Sequence, residues 1–184
     1  MLLFTKNMKS IFAFLFPFPR NSSACLLALL LFSSASLKAE LLYSTSGNTI
    51  TITGSNPKAS GNLVIPSTIN NLPVTSIGEL AFYHCSGLTT VTLPSSVTSI
   101  GELAFWRCTG LTSVTLPNSI TSIGNWAFWG CTGLKSVRFM GNAPTLGTNV
   151  FHGARNVTVY YIAGKTGWDA SFAGRPTALW DIPR

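Results

Sequence analysis

The chain has 184 residues, 9% of them charged and 46% hydrophobic, with a mean hydropathy of +0.37 and a formal net charge of +7. That length suits one domain with appendages. Four of the twelve basic residues and no acids precede Glu40, so the remainder carries eight basic against five acidic residues, a net +3 without a Lys/Arg cluster, which excludes nucleic acid as the expected partner.

Residues 1–39 resemble an export signal. Lys6 and Lys9 supply a basic start, Ile11–Phe18 is apolar, Pro17, Pro19 and Arg20 interrupt it, and Ala24–Phe32 is apolar again. Ser33-Ser34-Ala35 and the following Ser36-Leu37-Lys38-Ala39 offer small-residue cleavage sites after Ala35 or Ala39. Neither apolar run reaches the roughly 18 residues that a spanning helix needs. The expectation is a secreted or cell-surface protein with no membrane span after cleavage.

Residues 40–76 are expected to form an amino-terminal cap. Thr49–Thr53 alternates polar and apolar residues, as a half-buried strand does, and Ser46-Gly47-Asn48 can turn it back on Leu42–Ser44 as a hairpin. Gly54–Gly61 reads as a loop. Leu63-Val64-Ile65-Pro66-Ser67 matches the close of later units, and Asn70-Asn71-Leu72-Pro73 is extra length that must leave the stack.

Between residues 77 and 162 one pattern is written four times at a spacing of 23 residues: Ile77, Ile100, Ile123 and Leu146, each followed by glycine. Behind them come Phe82, Phe105, Phe128 and Phe151, then Cys85, Cys108, Cys131 and Ala154, then Leu88, Leu111, Leu134 and Val157. An apolar pair closes each unit: Val91/Leu93, Val114/Leu116, Val137/Phe139 and Tyr160/Ile162. A fixed period in this range with an L-x-x-V-x-L core predicts an α/β solenoid of leucine-rich repeats, about four turns of right-handed coil. Each unit is predicted to carry a short helix or 3₁₀ turn from Gly78 to about Ser86, then a strand ended by Pro94. The three cysteines share one position between buried residues and read as small apolar side chains. Residues 163–184, with Trp168, Phe172 and Trp180 among Gly and Pro, are expected to fold as a coil cap over the last repeat.

Ser76–Pro94 and Ser99–Pro117, both of the form Ser-Ile-Gly-Glu-Leu-Ala-Phe-x-x-Cys-x-Gly-Leu-Thr-x-Val-Thr-Leu-Pro, resemble the BspA-like class of bacterial leucine-rich repeats, and the likeness runs from Leu41 to about Trp180. The resemblance implies a surface or secreted protein, some members being adhesins that bind host matrix proteins. The motif brings no catalytic residues with it.

Chemistry is thin. Glu79 and Glu102 occupy equivalent positions, but a repeated first-turn acid is more simply a solvated partner of the local backbone dipole. His84 beside Cys85 does not recur, and a buried thiol is a poor nucleophile. No zinc spacing, cofactor motif or nucleophile elbow is present in the sequence, so no enzyme activity, metal or cofactor is expected. Recognition is the better candidate, on two surfaces. One is the outer strand face, where Lys135, Arg138 and Tyr161 gather toward the carboxyl end. The other is an aromatic ridge from Tyr83, Trp106, Trp126 and Trp129, placed opposite the buried face on a helical wheel. The expected function is an exported, monomeric, adhesin-like module for an extracellular protein or glycan. The alternative is a structural, self-associating envelope protein. A secreted hydrolase ranks last.

Overall fold

The computed structural model describes residues 39–181. The expected signal peptide, Ala39 excepted, lies outside them. Fourteen strands follow in chain order: β1 (Glu40–Ser46), β2 (Thr49–Asn56), β3 (Gly61–Val64), β4 (Thr68–Ile69), β5 (Leu72–Ile77), β6 (Leu88–Thr92), β7 (Ser99–Ile100), β8 (Ser113–Leu116), β9 (Ser122–Ile123), β10 (Ser136–Phe139), β11 (Thr145–Leu146), β12 (Thr158–Tyr161), β13 (Ser171–Phe172) and β14 (Arg175–Leu179).

They form two sheets on a solenoid of about five turns. One sheet runs β1-β2-β5-β7-β9-β11, with β4 on β5, and the other runs β13-β14-β12-β10-β8-β6-β3. Neighbouring turns pair in parallel, so equivalent residues fall in rows: Ile77, Ile100, Ile123 and Leu146 in one sheet, Val91, Val114, Val137 and Val159 in the other. The two-residue strands of the first sheet go beyond the sequence expectation. They arise because Ser-Ile at the start of each unit, Thr145-Leu146 in the fourth, pairs with its copy one turn away.

The interior is one continuous row of side chains. Phe82, Phe105, Phe128 and Phe151 are wholly buried, and their rings stack with centroids 5.3, 5.1 and 5.6 Å apart. No turn could bury its apolar layer alone, so the stack is the source of the core.

The expected helix is absent: no helix occurs among the described residues. The segments after Gly78, Gly101 and Gly124 are chains of turns. Ala81 N–H donates to Gly78 O (3.5 Å), Tyr83 N–H to Leu80 O (3.0 Å) and Cys85 N–H to Phe82 O (3.1 Å), while φ is positive at Leu80 (57°) and His84 (57°), the third residues of the first and last of these turns. That sign at the third position is what type II turns require, and it stops a right-handed helix from propagating. The remaining amides leave the segment altogether. Leu80, Phe82 and His84 N–H donate to Glu102, Ala104 and Trp106 O at 3.0, 2.8 and 2.9 Å, making a third ladder between turns.

The repeated Ile-Gly step is a matter of room. A Cβ on Gly101 would stand 2.7 Å from Gly78 C and from Glu79 N, because Gly101 N–H reaches Ile77 O at 2.7 Å. The glycine lets two backbones touch.

At the amino-terminal end β1 and β2 form the expected hairpin, through residue pairs from Ser46↔Thr49 to Glu40↔Asn56. Asn70-Asn71 does not loop out loosely. It is the two-residue turn of a second hairpin, β4–β5, with φ of 51° and 64°, which asparagine tolerates. The carboxyl-terminal segment departs from the coil expected there: β14 pairs in parallel with β12 and β13 antiparallel with β14, extending the sheet by two strands, and Trp168 and Phe172 pack on Phe139.

Cys85, Cys108 and Cys131 are buried free thiols, and Sγ–H of Cys108 and Cys131 donates to Phe82 O (3.1 Å) and Phe105 O (3.0 Å). Loss of water on burial pushes the Cys131 thiol from its usual 9.0 up to about 12, and Cys108 and Cys85 in the same direction. The unfolded chain ionises these thiols near 9 while the folded one keeps them protonated, so their contribution to stability is complete below pH ~9 and is lost as the pH rises beyond it. Stability from urea titrations is expected to fall above that pH, and to fall less steeply in Cys108→Ala/Cys131→Ala. An equal slope in both proteins would show that the thiols are not responsible.

Candidate functional site

Two residues stand between the buried Phe and the residue buried three positions later in each turn segment, and stacking gathers the first of them into a column. Tyr83, Trp106, Trp129 and His152 lie ring on ring, with centroid spacings of 4.8, 5.0 and 6.0 Å and interplanar angles of 5°, 8° and 15°. Their faces cover one another, so the column offers ring edges to solvent. Tyr83 remains 37% exposed at the amino-terminal end. The Arg107 guanidinium sits 4.5 Å from the Trp106 ring and 5.4 Å from that of Trp129, and His84 meets Trp106 edge-on at 4.8 Å. Cation–π attraction of this kind holds an exposed arginine in place.

Trp126 stands apart. It follows Leu80 and Leu103 in a neighbouring row, with φ of 52°, and is not part of the stack. The helical wheel that joined the two rows fails because there is no helix.

The corner expected from Lys135, Arg138 and Tyr161 is rearranged. Lys135 is exposed, and its N–H donates to Thr112 O (2.9 Å). Arg138 pairs in register with Tyr160, not Tyr161, and its guanidinium lies 5.8 Å from the Tyr160 ring and 5.7 Å from that of Trp180. Tyr161 continues the row of Phe139 and stacks on Trp168 (5.2 Å, 9°). Between Leu134 and Val137 lie two residues, between Val157 and Val159 only one, and that missing residue moves Tyr161 off the outer face.

Beside the column runs an open groove of about 700 Å³, lined by His84, Arg107, Thr109, Trp129, Thr132 and Arg155 among others, with no Asp or Glu. The sequence expectation lacked Arg155 and the role of two glycines. The row His84–Arg107–Gly130–Gly153 loses its side chains at the third and fourth turns, and the hollow lies over those glycines. Comparing that row by eye would have revealed it.

Glu102, one half of the weighed carboxylate pair, accepts a hydrogen bond from Asn125 Nδ2 (3.1 Å), and Asn125 Oδ1 in turn accepts from Thr148 N–H (2.8 Å). These side chains tie one turn to the next.

Residues 55–167 match the model of the BspA type leucine rich repeat region, in six copies. Solved structures with the same coil include a leucine rich repeat protein of T. pallidum, at 28% identity and a TM-score of 0.57, covering 65% of this chain and 68% of that one. A leucine-rich repeat protein from Bacteroides capillosus is 33% identical at a TM-score of 0.58, over 66% of this chain and 93% of its own. A leucine rich cell surface protein from Faecalibacterium prausnitzii is 29% identical at 0.57, over 73% of this chain, which spans 39% of that protein's length. No curated protein matches the chain. Repeat spacing, the phenylalanine row and these likenesses agree: the chain belongs to the BspA-type leucine-rich repeat family of bacterial proteins.

Proposed function

We propose that the protein is exported and acts outside the cell, secreted or at the surface, as a non-enzymatic module that grips a partner protein or glycan along its aromatic column and the adjoining groove. The observation that carries this is the in-register column Tyr83–Trp106–Trp129–His152, flanked by Arg107. Aromatic and arginine side chains gathered on one exposed strip supply large contact area with few rotors to freeze. The basic start, the apolar run and the small-residue sites of residues 1–39 support export. The family membership and the cell-surface protein among the similar structures point the same way. The non-enzymatic part of the reading is supported by the fate of several reactive groups: thiols buried and held protonated, Glu102 tied to Asn125, and hydroxyls such as Thr98, Thr112 and Thr121 spent on carbonyls of the turn before.

The test is retention of the purified protein on an array of matrix proteins and glycans. Trp106→Ala/Trp129→Ala removes the middle of the column and is expected to weaken binding at least tenfold. The interior should be spared, with a stability cost of about 0.5–1.5 kcal/mol for each stacked pair lost. Parent-like binding by this variant would make the column mere packing.

A further inference from the structure

We propose that the groove beside the aromatic column binds an acidic saccharide, with Arg107 and Arg155 holding its carboxylate or sulfate groups. The inference rests on the binding reading above and assigns a ligand class to the same face.

The hollow has a definite origin. In the row His84–Arg107–Gly130–Gly153 every residue takes a left-handed backbone, with φ of 57°, 53°, 68° and 82°. Glycine adopts it freely, whereas an L side chain is strained there. Gly130 and Gly153 therefore open the floor, and a Cβ on Gly130 would stand 3.1 Å from Arg107 Cγ. Arg107 is kept at a strained position that the next two turns fill without strain, which is understandable if its guanidinium has work to do.

Charge selects the ligand. Arg107 and Arg155 stand on turns two apart, roughly 10 Å at strand spacing, and no carboxylate lines the groove to neutralise them. Guanidinium forks match carboxylate and sulfate oxygens. Ser86, Thr109, Thr132 and Asn156 also line it, a hydroxyl and amide surface suited to sugar hydroxyls.

An acidic peptide fits less well. In the middle of the groove the backbone amides are already paired, Arg107 N–H on Trp129 O and Gly130 N–H on His152 O, both at 2.8 Å, so an extended peptide finds no free strand edge there. Because the indole faces cover one another, a sugar meets the Trp129 edge, and binding depends mainly on charge-assisted hydrogen bonds that salt weakens.

Binding of the purified protein is to be measured on a sulfated glycosaminoglycan, polygalacturonate, neutral dextran, polyglutamate and matrix proteins. Retention on one or both acidic polysaccharides and none on dextran is expected, and which of the two is held tells sulfate from carboxylate. Arg107→Gln/Arg155→Gln should raise Kd at least tenfold with an unchanged melting curve, whereas Lys165→Glu, the same change of net charge at an exposed residue outside the groove lining, should bind as the parent does. Equal losses in the two variants, or none in the first, would overturn the assignment. Equal affinity for polyglutamate would overturn the saccharide class. Capture by matrix proteins without acidic polysaccharide sinks this inference and leaves the binding reading standing. Silence on every probe sinks both.

Discussion

Gly124→Ala is expected to cost about 3 kcal/mol or more and to lower the melting temperature by roughly 10 °C. The added methyl would stand 2.6 Å from Glu102 N and 2.7 Å from Gly101 C, closer than carbon and backbone atoms approach. Neither partner is the loose end of a side chain. Relief requires two turns to part, yet Gly124 N–H holds Ile100 O at 2.8 Å and the rows on either side are equally tied. The contrast is Gly47, where an added Cβ would have nothing within 4 Å and only the φ of +56° matters. Gly47→Asn should therefore melt within about 2 °C of the parent, since asparagine accepts that backbone. Thermal unfolding followed by circular dichroism decides it. A near-native melt for Gly124→Ala would mean that the turns are less closely stacked than described.

Phe105→Ala should be about as damaging, at roughly 3–5 kcal/mol. The ring is wholly buried and stacked on both faces, 5.3 Å from Phe82 and 5.1 Å from Phe128. Backbone ladders on three sides of the coil prevent collapse into the space, so most of the cavity persists. Each turn touches only its neighbours, so a gap at the second turn also uncouples the two ends. Urea unfolding should then show a broader transition as well as a lower midpoint. Because the rings touch, the costs of Phe105→Ala and Phe128→Ala should not add. A loss below about 1 kcal/mol would contradict a continuous aromatic interior.

Different parts of the molecule are legible in the sequence to different degrees. The buried rows are plain, because a side chain repeated every turn must meet its copies when turns stack. The β1–β2 hairpin is plain too, from its alternation and its turn residues. The expectation of a helix fails for a clear reason. Ala81, Phe82 and Cys85 have the spacing of a helical face, but the same three positions are buried by a string of turns with positive φ at Leu80 and His84. Periodicity cannot distinguish them when amides find carbonyls on the next turn, and nothing in a leucine or histidine announces a positive φ. Tyr161 is displaced by a single missing residue, since one position shifts a strand's side chains to its opposite face.

The candidate surface is half visible in the sequence. Tyr83, Trp106 and Trp129 are recognisable as a row, whereas Arg155 is not, and the hollow shows only as the loss of side chains at Gly130 and Gly153 in the row that begins with His84 and Arg107. A groove depends on what is absent from a position, and its walls come from residues on different turns.

By itself the sequence determined that the chain stacks upon itself and which residues line the inside, because a 23-residue period leaves an apolar layer that only another copy can cover. The tertiary structure alone decided where the backbone hydrogen bonds go, and with them everything on the outside. Once the amides of the turn segments reach the neighbouring turn, Trp106 and Trp129 lie face to face and Arg107 leans over them. Those are relations between turns, set by the spacing at which whole turns pack, and no single repeat contains them.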